Sequence, residues 1–196
     1  SYLSLDFLHE GVPRKTLEAQ WIKPDLQEPK LSGDLDYNDI LLRLMGSLNI
    51  CSRENVIRQY DHEVKGKTII KPLMGPNCLA PQDAAVMRLG FDSYEGIAIS
   101  NGIIPRYGDI EAYEMSAGAF DEAVRQILAV GGKLPLSANP DDNLFWSVND
   151  NFCVPDSVYD PDGNPDGKVK LAKLVQMCEA LYDMATYFHI PLTSGK

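Results

Sequence analysis

The chain is short of cations: 18 Lys and Arg stand against 28 Asp and Glu, a net charge of −10 over 196 residues. Nucleic acid and anionic membrane surfaces both select clustered Lys and Arg, so neither is expected as a main partner. A polyanion such as a nucleotide stays open to it, provided that a bridging metal or local Lys, Arg and backbone N–H groups carry the phosphates. Cysteine is scarce as well. Cys51, Cys78, Cys153 and Cys178 lie far apart, form no C-x-x-C pair and have no His at zinc-ligand spacing, so they read as reduced thiols of a cytoplasmic protein. No apolar run approaches the roughly 20 residues of a membrane span, and the N-terminus lacks the basic-then-apolar layout of a signal peptide. Nor is there a complete Walker sequence, a G-x-G-x-x-G after a strand, a G-x-S-x-G or an H-E-x-x-H.

What is present fits one domain with an appended segment, long enough to bury a core without staples. Residues 1–35 are rich in Pro and charge without a sustained period, and read as a linker wrapped on something else. Asp36 caps a predicted helix over Tyr37 to Leu48 with a stripe of Ile40, Leu41, Leu44 and Leu48, and Ser52 caps a second over Arg53 to Gln59. A turn at Gly66 leads into a β-branched strand ending near Lys71, Pro72 to Pro81 reads as a loop, and strands follow at Ala84 to Arg88 and Gly96 to Ser100. After a loop from Gly102 to Gly108 comes a long helix, Ile110 to Val130, with Tyr113, Phe120, Val124, Ile127 and Leu128 facing inward and Gly131-Gly132 ending it. Lys133 to Asn139 reads as a strand and Asn149 to Gly167 as turns. The last helix spans Lys168 to Phe188 on the stripe Leu171, Leu174, Val175, Cys178, Leu181, Tyr182 and Ala185, before an extended piece from Ile190. This order predicts an α+β fold, two layers, with a mixed or antiparallel sheet covered by helices on one face. The other sheet face then needs cover from a further domain or a second copy.

Three oxygen-bearing side chains mark a candidate site. Asp83 stands at the mouth of a short apolar run, and Glu122 and Gln126, four residues apart, share one helix face, with Gly118 a turn before them. Hard oxygen donors of this kind suit Mg²⁺ and, through it, a nucleotide's phosphates. The same pattern also fits a turn Asp and a wet helix face, and spacing alone leaves both open. His62, between Asp61 and Glu63, is open in the same way, as a tuned base or a hydrogen-bonded turn residue. Asp160, Asp162 and Asn164 have the first spacings of a calcium loop, but Pro165 stands where its Gly belongs and Leu171 where its Glu belongs, which rules it out.

Read together, several phrases resemble one family. Asn49-Ile-Cys-Ser-Arg-Glu-Asn-Val-Ile-Arg-Gln-Tyr-Asp-His-Glu-Val64 is similar to the "QYDHEV" run in the second half of phosphoribosylformylglycinamidine synthases, the amidine-forming ligases of purine synthesis. Asp83-Ala-Ala-Val86 resembles their superfamily's signature element, Glu122-Ala-Val-Arg-Gln126 with Val130-Gly-Gly132 a conserved-type helix, and Asp150-Asn-Phe152 an "NF" turn. Ser194-Gly-Lys196 looks like the opening of the "SGKDSM" glycine-rich loop, and Asp6 to Gly11 like the linker entering the second half. The likeness runs in order along nearly the whole chain. Related aminoimidazole ribonucleotide synthase-like branches share the Asp83 element without the Tyr60-Asp-His-Glu63 phrase.

The resemblance implies a linker over 1–35 and, over 36–196, an aminoimidazole ribonucleotide synthase-like N-terminal-type domain cut within the glycine loop. It implies part of an ATP-dependent ligase in which an amide oxygen is phosphorylated and ammonia from glutamine displaces phosphate. By likeness, Asp83, Glu122 and Gln126 hold Mg²⁺, while Arg53, Gln82, Asp83, Gly195 and Lys196 bind ATP or ADP; Gln126 stands where the family has Asn, one methylene shorter. The catalytic His and the glutaminase triad belong to other parts of the family's assembly, so no catalytic residue is assigned and the chain alone is expected to be inactive. Expected partners are the nucleotide, the remaining domains, a glutaminase domain or subunit, and in isolation a second copy. The rival readings are a non-catalytic nucleotide-holding scaffold and another enzyme of the same superfamily.

Overall fold

A computed structural model of the chain describes residues 2–12, 14–31, 33–59, 64–135 and 145–195. The N-terminal segment carries a short helix, α1 (Leu5–Glu10), started by Ser4, whose hydroxyl accepts from the Phe7 N–H at 3.1 Å, and stopped at Gly11 with φ of 76°. Beyond it the segment is irregular, as its prolines dictate. It touches the body at the start of the last helix, where the Gln20 N–H donates to the Lys168 carbonyl at 3.0 Å and Glu18 pairs with the Lys168 ammonium at 2.5 Å.

Helix α2 (Tyr37–Gly46) is capped as expected: the Asp36 carboxylate accepts from the Asn38 and Asp39 N–H groups. It ends at Gly46 rather than Leu48, with the Ser47 N–H closing onto the Leu44 carbonyl at 3.0 Å. None of its residues is buried, so Leu41 and Leu44 lie on an apolar stripe that nothing among the described residues covers. Helix α3 (Glu54–Ile57) is a single turn, entered by the Ser52 hydroxyl accepting from the Glu54 N–H at 3.2 Å.

Strand β1 (Thr68–Ile70) follows a turn at Gly66, whose φ is 63°. The expected loop from Pro72 to Pro81 is instead a tight hairpin of β2 (Leu73–Met74) and β3 (Ala80–Pro81), with Leu73 opposite Pro81 and Leu73 buried. Proline cannot donate to a ladder. Here Pro81 sits at a strand end of a two-strand edge, where its missing N–H costs nothing. Strands β4 (Ala85–Arg88) and β5 (Gly96–Ile99) complete an antiparallel sheet in the order β1-β4-β5, with Ala85 opposite Ile99 and Arg88 opposite Gly96. Every residue of β5 is exposed, Ile97 and Ile99 included.

A 3-10 turn at Pro105–Asp109 precedes α4 (Ala112–Ala129), and α5 (Gly167–Phe188) lies along it. Ala112, Ser116, Phe120 and Val124 recur every four residues on the buried face of α4, a stripe that drifts slowly around a 3.6-residue helix. Of the residues expected to face inward, Leu128 is exposed. Phe120, Val124 and Ile190 form the core, with Trp146, Leu181, Met184 and Phe188 against it, and the Phe120 and Phe188 rings stack at 6.0 Å. Gly131, at φ 95°, ends α4 as foreseen, and the Gly132 N–H returns to the Ile127 carbonyl at 2.9 Å.

The buried face of α5 matches the predicted stripe only in part: Leu181 and Ala185 pack against the core, as expected. Ala172, Met177 and Ala180 are buried, whereas Val175, Cys178 and Tyr182 are exposed. Small alanines let α4 approach closely, so the larger apolar side chains lie beside the contact or outside it. Residues 133–135 of the expected Lys133 to Asn139 strand are irregular, and 136–139 lie outside the described residues. Beyond them β6 (Val148–Asn149) runs parallel to β7 (Leu192–Ser194), reached from α5 through His189 in the left-handed region at φ 56°. The architecture is therefore α+β, with an antiparallel sheet and a two-helix layer, as the sequence predicts. Among the described residues no helix is long and apolar enough to cross a membrane.

Candidate functional site

The two predicted helix-face residues reach the same piece of backbone. Where β5 ends, residues 100–103 turn onto the surface of α4 and are fastened there by its polar side. Glu122 Oε2 accepts from the Ile103 N–H at 2.9 Å, Gln126 Oε1 accepts from the Asn101 N–H at 3.3 Å, and the Ser100 hydroxyl donates to the Ala123 carbonyl at 2.7 Å. Between those contacts lies Gly102, so close to the helix that a Cβ there would collide with the Ala119 carbonyl oxygen. Only glycine lets the loop approach the helix backbone this closely. Gly118, which the sequence offered as an accessible spot, faces the Ile104 side chain, 3.1 Å from where a Cβ would stand.

Asp83 comes to the same end of the sheet. It lies two residues before β4, and the antiparallel register that sets Ala85 opposite Ile99 brings the entry of β4 alongside the exit of β5, where Asn101 lies. Its side chain is exposed and makes no hydrogen bond among the described residues. Topology thus brings residue 83 and the 122/126 pair toward one edge, through the loop that the pair holds.

The remaining candidates are placed separately. Arg53 donates from Nη1 to the Cys51 carbonyl at 3.2 Å and contacts the Cys51 sulfur at 3.0 Å, so its guanidinium braces the entry to α3. The Gln82 N–H donates to the Pro72 carbonyl at 3.0 Å and its side-chain amide to the Ala80 carbonyl at 3.4 Å, tying residue 82 to the β2–β3 hairpin. Gly195 follows β7, beside the carboxylate of Asp150. Lys196 and His62 lie outside the described residues. Asp160, the first residue of the rejected calcium loop, caps its own turn by accepting from the Asp162 and Gly163 N–H groups at 3.0 and 2.7 Å.

The donor chemistry of the edge suits a hard cation in part. Glu122 spends Oε2 on Ile103 and keeps Oε1 without a partner among the described residues; Asp83 keeps both oxygens; Gln126 holds Asn101 through a long bond that a cation could compete for. No three His, Cys, Asp or Glu side chains converge among the described residues, so a cation here would complete its shell with water and with the phosphates it carries. Residues that spacing alone did not single out are Ser100, Asn101 and Gly102. Their signal was an Asn-Gly pair directly after a strand, which reads as a turn and nothing more.

The Lys168 ammonium bonded to Glu18 holds that carboxyl below its usual range, and the bond to Asp183 pushes the Tyr113 hydroxyl up. The second pair ties α4 to α5 through the Tyr113 hydroxyl and Asp183 Oδ2 at 2.7 Å.

Neither a family model nor a solved structure matches the chain at significance. Curated relatives do. The phosphoribosylformylglycinamidine synthase subunit PurL of Picrophilus torridus is 35% identical over 163 residues, 83% of this chain and 19% of the relative. That of Methanocaldococcus jannaschii is 34% identical over 98% of this chain and 23% of its own length, and that of Rhodopseudomonas palustris strain BisB18 is 32% identical over 88% and 21%. The chain therefore spans about a fifth of the length of the relatives it matches. By sequence, it belongs to the phosphoribosylformylglycinamidine synthase family, as a counterpart of one segment of subunit PurL.

Proposed function

We propose that this chain is the second aminoimidazole ribonucleotide synthase-like half-domain of a phosphoribosylformylglycinamidine synthase, with a linker over 1–35, and that it contributes a Mg-nucleotide site to that enzyme. The reaction is the ATP-dependent conversion of formylglycinamide ribonucleotide and glutamine-derived ammonia to formylglycinamidine ribonucleotide, ADP and phosphate. What supports the reading is the antiparallel register that sets Ala85, two residues after Asp83, opposite Ile99, together with the hold of Glu122 and Gln126 on the backbone at Ile103 and Asn101. Glu122 through Oε1, Asp83 and, on releasing Asn101, Gln126 would hold the cation. When bound, Mg²⁺ neutralises phosphate charge. The chain's own residues orient: Glu122 and Gln126 fix the loop 101–103, and Gly102 brings its backbone close to α4. Arg53, Gln82, Gly195 and Lys196 are proposed nucleotide contacts, by likeness to the family. The cytoplasm is the expected compartment, and other domains with a glutaminase domain or subunit are the expected partners.

A second reading is favoured by the same bonds. Because Glu122 and Gln126 already secure backbone, the site can serve folding, with the nucleotide as a structural ligand that is not turned over. Asp83→Asn in the full-length enzyme separates the two: lost turnover at normal soluble yield marks chemistry, and lost yield with normal turnover in what folds marks structure. MgADP titration by calorimetry tests both, since absence of binding at millimolar ligand removes the nucleotide from either reading.

A further inference from the structure

We propose that Asp150 is a positioning residue for the backbone at Gly195, where the chain leaves β7 toward the proposed nucleotide. This rests on the reading above that Gly195 belongs to the nucleotide site. It goes beyond that reading in naming a residue that touches neither metal nor phosphate.

Three contacts lock the two strand ends together. Asn149 pairs with Ser194 in the parallel ladder, the Asp150 N–H donates to the Ser194 carbonyl at 3.1 Å, and the Thr193 hydroxyl donates to Asn149 Oδ1 at 2.9 Å. They bring the Asp150 carboxylate onto Gly195 so closely that it occupies the place of a side chain: a Cβ at 195 would collide with Oδ1 and lie 3.0 Å from Oδ2. Two consequences follow. A side chain at residue 195 would have to turn the Asp150 carboxylate out of its place, a demand that arises inside this chain and not from a ligand. The backbone at Gly195 is also bounded on one side by the carboxylate of a residue whose own backbone is held in the ladder. Neutral backbone beside an anion would be a poor place for phosphate unless the carboxylate faced away from it. An acid packed on Gly195 leaves the opposite side of that residue for the ligand, and its negative charge disfavours phosphate on the wrong side.

The test uses the full-length enzyme, with MgADP as the calorimetric probe and KM for ATP read against kcat. Asp150→Ala is expected to weaken MgADP by about tenfold or more, the scale on which removal of a residue that orients a ligand-holding group acts. KM should rise, with kcat and the melting temperature little changed. Asp150→Asn, which keeps shape and one oxygen, should retain most of the affinity. Gly195→Ala should lose it, and the double variant Asp150→Ala/Gly195→Ala should recover part of it, because the colliding carboxylate is gone. Should Asp150→Ala not fold, the Asp150→Asn and Gly195→Ala arms carry the test. Wild-type affinity in Asp150→Ala or in Gly195→Ala overturns the assignment, as does an Asp150→Asn as weak as Asp150→Ala. A wild-type enzyme that binds no MgADP instead defeats the nucleotide reading on which it rests.

Discussion

At the scale of single residues, the loop after β5 is held by groups whose roles in folding and in ligand binding can be separated. Glu122→Gln keeps an acceptor for the Ile103 N–H and removes the charge. Its expected outcome is a stability change below about 1 kcal/mol, since one neutral hydrogen bond replaces one to a charged group. Mg²⁺-dependent nucleotide affinity should fall clearly, and urea denaturation with calorimetry reads both. Glu122→Ala instead frees the Ile103 N–H and should cost stability as well. Gly102→Ala works through sterics alone. Its methyl meets the Ala119 carbonyl, so the loop must lift from α4, for about 1–3 kcal/mol as for other overpacked sites, visible as a lowered urea midpoint with unchanged slope.

At the scale of elements, α4 and α5 hold the core, and Phe120→Ala should cost about 3–5 kcal/mol, because its ring fills the space between Val124, Ile190 and Phe188. These helices were the most legible part of the sequence: both exist within two residues of their expected bounds, and the Asp36 cap and the Gly131 stop follow from local chemistry. The face of α5 was legible only in part, at Leu181 and Ala185, because a wheel weighs large apolar side chains and the contact also uses Ala172 and Ala180. The β2–β3 hairpin was hidden for a related reason, since two-residue strands beside prolines have no period to read. Of the site, the spacing of Glu122 and Gln126 was legible. Their hold on the backbone at 101 and 103 was not, because long-range register decides what a helix face meets. The contact of residues 18–20 with α5 makes a pH prediction at this scale. Lys168 lowers the Glu18 pKa on folding, so the pair's contribution is present above the ordinary carboxylate pKa and lost as pH falls through the lowered value. Amide exchange at Gln20, corrected for its intrinsic pH dependence, should accelerate on that descent. It should also accelerate at neutral pH in 1 M salt, because the pair is exposed and screened.

At the scale of the whole molecule, apolar surface is left open in many places, among them two elements far apart in sequence: the α2 stripe with Leu41 and Leu44, and the strand β5 with Ile97 and Ile99. Single exposed apolar residues are ordinary, but a helix with no buried residue and a strand exposed at every position are elements made without their second layer. The relatives are four to five times longer than the stretch they share with this chain, so material that could supply that layer exists in them. Produced alone, the chain should therefore associate with itself through these surfaces, giving a sedimentation coefficient that rises with concentration in the micromolar range. Ile97→Lys and Ile99→Lys charge the open strand and should shift the chain toward monomer. Leu44→Glu does the same if α2 takes part, and leaves association unchanged if β5 alone mediates it. The sheet-pairing account makes one further demand: in the full-length protein the lysine variants, which relieve association of the isolated chain, should lower stability. There the strand's apolar side chains would be covered, and a charge introduced at 97 would be buried without a partner. A full-length protein whose melting temperature is indifferent to Ile97→Lys would mean that the strand stays exposed there too, and that its apolar residues serve something other than a domain contact.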